Sequence, residues 1–361
     1  MRQLRQCTLA RRARLMVMAA FVVGFAACDD SPTAPIGGEN FDAQSAQVGL
    51  DRMDGLLTSP AWASYEALSK KIGGTGLVAS RVPALETDGF PVVGDATSRL
   101  LSAANRIPLI STGNLGKTFV IDPASGEYVD DPARTSAPSN GVRFVLYELV
   151  EGTEDPDLEN EIGHLQLVDN GVGTAGIDLQ LTAVANGLTF VEYGIALTGD
   201  DAAGSVSIDG FVADGTDRLD FTFDVAATDS GSATTIDLDA TLSVNSESLT
   251  VTVTADGSSL AEQGEAVTAQ VSVTYGAESL SIDVSGNDEA IDATFRVNGS
   301  VLATATGDPE SPQILGAEGM ELTAQEIEVL GKIIETADDV FKFFEDLVEP
   351  AEGIILLAVI L

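Results

Sequence analysis

The sequence predicts a mainly β protein of the α+β class, in which a large curved antiparallel meander of about 11–13 strands wraps a long C-terminal amphipathic helix. Two observations lead to this prediction. Apolar and polar residues alternate with a period of two from about residue 117 to residue 306, and the apolar period changes to three and four after residue 322. So many one-sided strands must bury their apolar face, so a β-sandwich is the alternative.

The chain of 361 residues divides into five predicted segments. We expect a signal peptide over 1–27, an acylated tether over 28–40 and a helical region over 41–113. The antiparallel meander is predicted over 114–307. The amphipathic helix and an apolar tail, both packing on the sheet, are predicted over 308–361.

Strict alternation supports the strands. In the run LTVTVTA (249–255) leucine and valine alternate with threonine, and in LDFTFDV (219–225) apolar residues alternate with aspartate and threonine. One face of each strand is therefore apolar and the other polar, as in antiparallel sheets. The runs have no fixed repeat length, which excludes a solenoid or a propeller.

Turn residues support short connections between the strands. Asn186-Gly187 and Asn298-Gly299 predict two-residue hairpins, because both central residues of a type I′ turn need a positive φ. Gly126 is predicted to supply a positive φ in the turn of FVIDPASGEYV (119–129).

The region before the sheet contains one well-marked helix. Ser59 is its predicted N-cap, Pro60 its first residue and Gly73 its stop. Its apolar stripe consists of Trp62, Tyr65, Leu68 and Ile72. Such a stripe is typical of a core-facing helix rather than of a ligand site.

The C-terminal helix carries the strongest start signal, because Thr323 and Glu326 form a capping box. Its apolar residues step by three and four, and we expect this face to pack on the sheet: Ile327, Leu330, Ile334, Phe341 and Phe344. The closing run GIILLAVIL (353–361) is too short to cross a membrane, which takes about 20 apolar residues.

The N-terminus has the pattern of an export signal. Five arginines and no acidic residue occupy the first 14 positions, and an apolar run then extends from Leu15 to Phe25. The next residues, Phe25-Ala26-Ala27-Cys28, resemble the lipobox of bacterial lipoproteins, with Phe where Leu is more usual. The resemblance covers only the leader. It implies cleavage before Cys28 and acylation (diacylglyceryl, palmitate) of that residue.

Two features of the sequence agree with an anchor at Cys28. The other cysteine, Cys7, lies in the leader, so the mature chain has no partner for an intramolecular disulfide. The segment SPTAPIGGEN (31–40) is typical of a flexible tether. We therefore expect a lipid-anchored protein of the bacterial cell envelope whose domain faces the periplasm or the exterior. The sequence leaves the choice of inner or outer membrane open, and the oligomeric state as well.

Charge limits the partners of the domain. Removal of residues 1–27 takes away five arginines and no acid, so the mature chain has 13 basic and 56 acidic residues and a net charge of −43. Such a surface repels nucleic acids. Solubility is the simpler interpretation of this charge, and cation binding the more specific one.

The residues needed for most catalytic sites are scarce. His164 is the only histidine, and no mature thiol is free after acylation, so Ser–His and Cys–His catalysis and His/Cys zinc sites are excluded. We interpret His164 as a residue on the surface of a strand. The sequence predicts no enzyme and no cofactor.

One acidic loop is a weak calcium candidate. Asp155, Asp157 and Glu159 have the spacing with which calcium loops begin, although Asn160 stands where an EF-hand needs glycine. A solvated loop is the simpler interpretation.

The predicted function is that of a binding protein. By analogy of architecture with half-barrel lipoprotein carriers, the curved sheet and the helix would hold a lipid or another hydrophobic ligand between them. The alternative is a structural or interaction lipoprotein with a filled core and no ligand, which would bind another envelope protein.

Overall fold

The computed structural model describes the following residues: 52, 55–74, 110, 112–153, 155–171, 176–199, 203–230, 233–244, 249–260, 264–287, 289–308, 311–323, 326–327 and 330–331. The predicted signal peptide, the predicted tether and much of the region 41–113 lie outside these residues. The chain forms two compact units, and the division between them falls after Asp224. We call them the N-terminal unit and the C-terminal unit.

Besides a short 3₁₀ helix (Ala317–Gly319), the elements with described bounds are one α-helix and fifteen strands. They are α1 (Pro60–Gly74), β1 (Thr118–Ile121), β2 (Tyr128–Asp130), β3 (Gly141–Leu149), β4 (Pro156–Asp169), β5 (Gly176–Ala185), β6 (Leu188–Gly199), β7 (Ala203–Ala213), β8 (Arg218–Asp229), β9 (Ala233–Val244), β10 (Leu249–Leu260), β11 (Gly264–Tyr275), β12 (Glu278–Gly286), β13 (Ile291–Val297), β14 (Ser300–Gly307) and β15 (Gln313–Gly316). The protein is thus mainly β, as the sequence predicts.

All fifteen strands belong to one sheet, and from β3 to β15 each strand pairs with its neighbours in the chain. The register is antiparallel throughout the pairs β9–β10, β10–β11, β11–β12 and β12–β13. A sandwich would need two sheets, so its prediction as the alternative fold is not supported. No described helix is long and apolar enough to span a membrane.

Two details of the predicted meander were wrong. The count of about 11–13 strands was too low, in part because β15 lies in a segment that proline and glycine mark as a breaker. The sheet is also mixed, since β1 pairs with β3 in parallel through Thr118↔Arg143 and Phe119↔Phe144. The parallel pair arises because β2 folds back on the outer side of β1, so that the returning chain enters β3 beside β1.

The predicted turns and caps are confirmed. Asn186 and Gly187 have φ values of 52° and 79°, and Asn298 and Gly299 have 49° and 77°, as a type I′ turn requires. At α1 the Ser59 hydroxyl accepts a hydrogen bond of 3.2 Å from the backbone of Trp62, as an N-cap does.

Helix α1 packs against β3 and β4 and brings aromatic side chains to the apolar face of the sheet. Trp62 and Tyr65 are 2% and 0% exposed, and the ring of Tyr65 lies 6.4 Å from that of Tyr193 on β6. Tyr193 is in turn 5.0 Å from Phe221 on β8. Trp62, Tyr65 and Leu68 of the predicted stripe therefore belong to the core of the N-terminal unit.

Strand β3 departs from the one-sided pattern. Phe144 and Leu146 are buried on one face, but Val145 and Tyr147 are buried on the other, where they cluster with Ile121. The Tyr128 hydroxyl closes over this second cluster with a hydrogen bond of 2.8 Å to the Val145 carbonyl. A small second core therefore lies on the otherwise polar face.

The C-terminal unit ends with the start of a helix. Glu326 accepts from the Thr323 backbone at 2.7 Å and Thr323 accepts from the Glu326 backbone at 3.2 Å, which confirms the predicted capping box. Residues 326–327 and 330–331 are helical, and Leu330 is 0% exposed. The rest of the predicted helix, with Ile334, Phe341 and Phe344, lies outside the described residues.

Candidate functional site

An open space on the polar face lies over β10–β13, in the C-terminal unit. We call it the trough. Its volume is about 390 Å³, and its lining consists of Thr254, Asp256, Thr268, Ala269, Gln270, Asp283, Val284, Ser285, Asp292 and Thr294. Eight of these ten residues are polar, so the trough is suited to hydrogen bonding rather than to holding an apolar molecule.

Strand register explains the shape of the trough. Thr254 lies opposite Gln270, Gln270 opposite Asp283, and Asp283 opposite Thr294. These four residues form the first row, which runs across the strands.

A second row runs parallel to the first. Asp256 lies opposite Thr268, Thr268 opposite Ser285, and Ser285 opposite Asp292. The two rows are two residues apart along each strand, about 6.8 Å, and neighbouring members of one row are about 4.8 Å apart. The trough is therefore a straight channel, about 14 Å long between the outer strands, with a polar wall on each side.

The floor of the trough is formed by the residues between the two rows. Ala269 and Val284 are among them, and their side chains point toward the apolar face, as strand alternation requires. Small or inward-pointing residues leave the floor low, whereas the side chains of both rows rise on either side. This alternation makes the channel without any bulge or break in β10–β13.

Hydrogen bonds hold part of the first row in place. Asp283 accepts from the Gln270 amide through Oδ1, and its Oδ2 pairs with the Arg296 guanidinium. The charge of Asp283 is thus balanced by a neighbouring cation. In the second row, the Thr268 hydroxyl lies 3.4 Å from Asp256 Oδ2, a long hydrogen bond.

Negative charge collects at the β9 end of the trough. Asp256 lies directly opposite Asp237, and Thr254 lies opposite Asp239. Partial burial raises the pKa of Asp237, and its hydrogen bond and charge interaction with Asp256, together with the charge of Asp239, raise it further. This end of the trough is therefore anionic, whereas its middle is lined by hydroxyl and amide groups and by the Asp283 carboxylate, which is paired with Arg296.

The residues predicted for calcium do not converge. Asp157 and Glu159 lie on β4, and the Glu159 backbone donates a hydrogen bond of 3.1 Å to Asp157 Oδ1. Residues two apart on a strand are about 6.8 Å apart. Within the described part of the chain, no group of three or more His, Cys, Asp or Glu side chains is placed to hold a metal ion. The calcium prediction therefore gains no support from Asp155, Asp157 and Glu159.

His164 lies half-buried on β4 of the N-terminal unit, consistent with a residue on a strand surface. With its side-chain oxygen turned toward both neighbours, Gln166 accepts from His164 Nε2 at 3.1 Å and from Arg143 Nε at 3.3 Å. Partial burial lowers the pKa of His164, and the charge of Arg143 lowers it further. Burial and the nearby guanidinium of Arg143 thus favour the neutral imidazole.

Sequence reasoning missed the trough. Alternation places Thr254 and Asp256 on the polar face, but it does not say which residue of β11 or β12 lies beside them. That information depends on the register of four consecutive strands. The one signal present in the sequence was the repeated Asp/Thr/Ser/Gln composition of the polar positions.

The remaining predicted residue, Cys28, lies outside the described residues, as does most of the predicted helix face. Comparison with protein-family models, with curated proteins and with solved structures finds no match for this chain.

Proposed function

We propose that this chain is a lipid-anchored protein of the bacterial cell envelope and that it acts as an interaction module with a filled core. The leader and the lipobox-like segment ending at Cys28 support the anchor. A diacylated and N-acylated cysteine holds a protein stably at a bilayer, because more than one chain is inserted.

The observation that carries the proposal is the packing of the apolar face in the N-terminal unit. Tyr65 and Tyr193 are both 0% exposed, and Phe221 is 4% exposed. Burial raises the pKa of Tyr193 far above its usual range, and the neighbouring Tyr65 hydroxyl raises it further. Side chains of the protein therefore fill the apolar face beneath α1, and this supports a filled core.

We further propose that the sheet of the C-terminal unit curves around the C-terminal helix. Leu330 at the start of that helix is 0% exposed, and Phe295 on β13 and Leu249 on β10 are fully buried as well. The spacing of Ile334 and Phe341 along the predicted helix would continue the same apolar contact. The polar face, where the trough lies, would then be the surface that binds a partner.

The anchor is tested by growing a bacterial host that expresses the full chain on an alkyne-labelled palmitate analogue. We expect the label and membrane fractionation to be lost in Cys28→Ser and retained in Cys7→Ser, which is a matched control within the same leader. Label on the Cys28→Ser protein would overturn the proposed anchor.

The filled core is tested by mass spectrometry of the purified, lipidated chain under native conditions and after denaturation. We expect the acyl chains attached to Cys28 and no further lipid in stoichiometric amount. A non-covalent lipid that is released only on denaturation would instead support the carrier function.

A further inference from the structure

We propose that the trough binds a neutral, linear, hydroxyl-rich polymer, that is, a segment of polysaccharide chain. The proposal deepens the proposed function, because it names the class of partner for the polar face, and it relies on the envelope location only for the supply of such a polymer. It does not depend on acylation of Cys28.

The shape of the trough favours a linear occupant. Two parallel rows enclose a channel about 14 Å long and about 6.8 Å wide between backbone positions. The trough runs across the strands, and its volume of about 390 Å³ lies within the range of ligand sites. The trough is open along its length, and this favours an extended chain that lies along the two rows.

The chemistry of the two walls favours hydroxyl groups. Sugar hydroxyls both donate and accept hydrogen bonds, so they need both kinds of partner. The threonine and serine hydroxyls in the walls can do either, the Gln270 amide offers one of each, and the aspartates accept: Thr254, Thr268, Ser285, Thr294, Asp256 and Asp292. The walls therefore match a polyol over their whole length.

The floor of the trough argues against an extended peptide. The backbone groups of β10–β13 are already paired with each other, so an incoming peptide could not add to the sheet there. A peptide would have to bind through its side chains alone. A polysaccharide does not need backbone pairing, because it carries hydroxyls on both of its edges.

Charge compensation argues against a purely ionic partner. Asp283 in the middle of the first row is already paired with Arg296 and Gln270. A cationic peptide would gain its affinity at Asp256 and Asp237 at one end and at Asp292 at the other, with the compensated Asp283 between them. Binding of a neutral chain should accordingly change little with salt, because screening acts on charge interactions.

The decisive variants differ in one position on the same strand. Thr268 and Thr274 both lie exposed on the polar face of β11, but only Thr268 lines the trough. Thr268→Trp should block the channel, and Thr274→Trp adds the same side chain outside it. Both variants of the full chain are purified in detergent and checked for β-structure by circular dichroism.

The probes are linear hexasaccharides of glucose and of N-acetylglucosamine, each titrated calorimetrically. For at least one of them, we expect Thr268→Trp to weaken binding by about tenfold or more and Thr274→Trp by less than about twofold. The double variant Asp256→Asn/Asp292→Asn removes two charges from the walls and leaves an acceptor oxygen at each position, so it should weaken hexasaccharide binding by less than Thr268→Trp does.

The results that overturn the proposal are equally definite. It is wrong if neither hexasaccharide binds, or if both tryptophan variants weaken binding equally. It is also wrong if polylysine alone binds and the Asn double variant abolishes that binding, since the trough would then be a site for cationic peptides. None of these results bears on Cys28, whose acylation is tested by labelling.

Discussion

At the scale of single residues, the least favourable contact on the polar face is the one between Asp237 and Asp256. Two carboxylates stand directly opposite each other on β9 and β10. Like charges in that position destabilise a sheet. The pKa of Asp237 is raised first by partial burial, and its interactions with Asp256 raise it further.

We expect Asp237→Asn to stabilise the protein at neutral pH. Because the pKa of Asp237 is raised in the folded state, the folded state binds a proton more tightly than the unfolded state does. The ionised Asp237 carboxylate therefore destabilises the folded state at neutral pH. This destabilisation disappears when Asp237 is protonated, that is, as the pH falls through the raised folded-state pKa toward the ordinary value of 3.8. The variant should gain about 0.2–1 kcal/mol in urea unfolding at low salt near neutral pH.

This gain should shrink as the pH is lowered toward the ordinary range of an aspartate. Asp239→Asn is the control, because Asp239 faces Thr254 rather than a carboxylate and should give the smaller gain. An equal gain from both variants would show that general charge reduction, and not the opposed pair, is responsible.

Sequence information was most reliable at residues whose role is local. Asn186, Asn298, Ser59 and the Thr323–Glu326 pair act through their own turn or cap, and all were identified correctly. The Asp237–Asp256 contact depends on a partner 19 positions away, so no local pattern could reveal it.

At the scale of elements, strand glycines fix the closest approaches within the sheet. Gly163 on β4 lies opposite Ala185, beside an irregularity in the pairing of β5 with β6. A Cβ atom added at Gly163 would lie 1.8 Å from the Val184 carbonyl oxygen. Only glycine allows the two strands to approach there.

Gly163→Ala should therefore destabilise the protein by about 1–3 kcal/mol, because the backbone of β4 or β5 must move. Gly55→Ala is the matched control. Gly55 lies in a helical segment with open space around its Cβ position, so this change should be neutral or slightly stabilising. Thermal unfolding of both variants provides the comparison, and a loss at Gly55 equal to that at Gly163 would contradict the argument.

The elements also show where pattern reasoning reaches its limit. Alternation located the long strands, since each has one apolar face. It did not anticipate β15, which has four residues, or the burial of both faces of β3. A short edge strand has too few residues to show an alternating pattern. A strand that is buried on both faces shows no alternation of apolar and polar residues.

At the scale of the whole molecule, charge is the dominant feature. The chain has 18 basic and 56 acidic residues, a net charge of −38 before any processing. Self-repulsion of this size destabilises the compact state, and salt screens it. The architecture as one large sheet could be predicted because burial dictates it, whereas the trough could not, because it arises from the register of four strands.

We expect the melting temperature to rise with sodium chloride between low and physiological ionic strength. The physical reason is that screening weakens the repulsion among like charges more than it weakens the few ion pairs, such as Arg134–Glu161. Differential scanning calorimetry of the purified chain measures this change, with sucrose of equal osmolality as the uncharged control. A fall in melting temperature with salt would mean that ion pairs outweigh the repulsion.

The edge strands of the sheet limit its pairing with the sheets of other molecules. The last strand on one side, β2, has three residues and is followed closely by Pro132, and β15 on the other has four and follows Pro312. A cross-β spine is usually templated by segments of about six or seven residues. Neighbouring molecules would thus find few unpaired edge residues with which to pair, and amyloid-like association should be disfavoured.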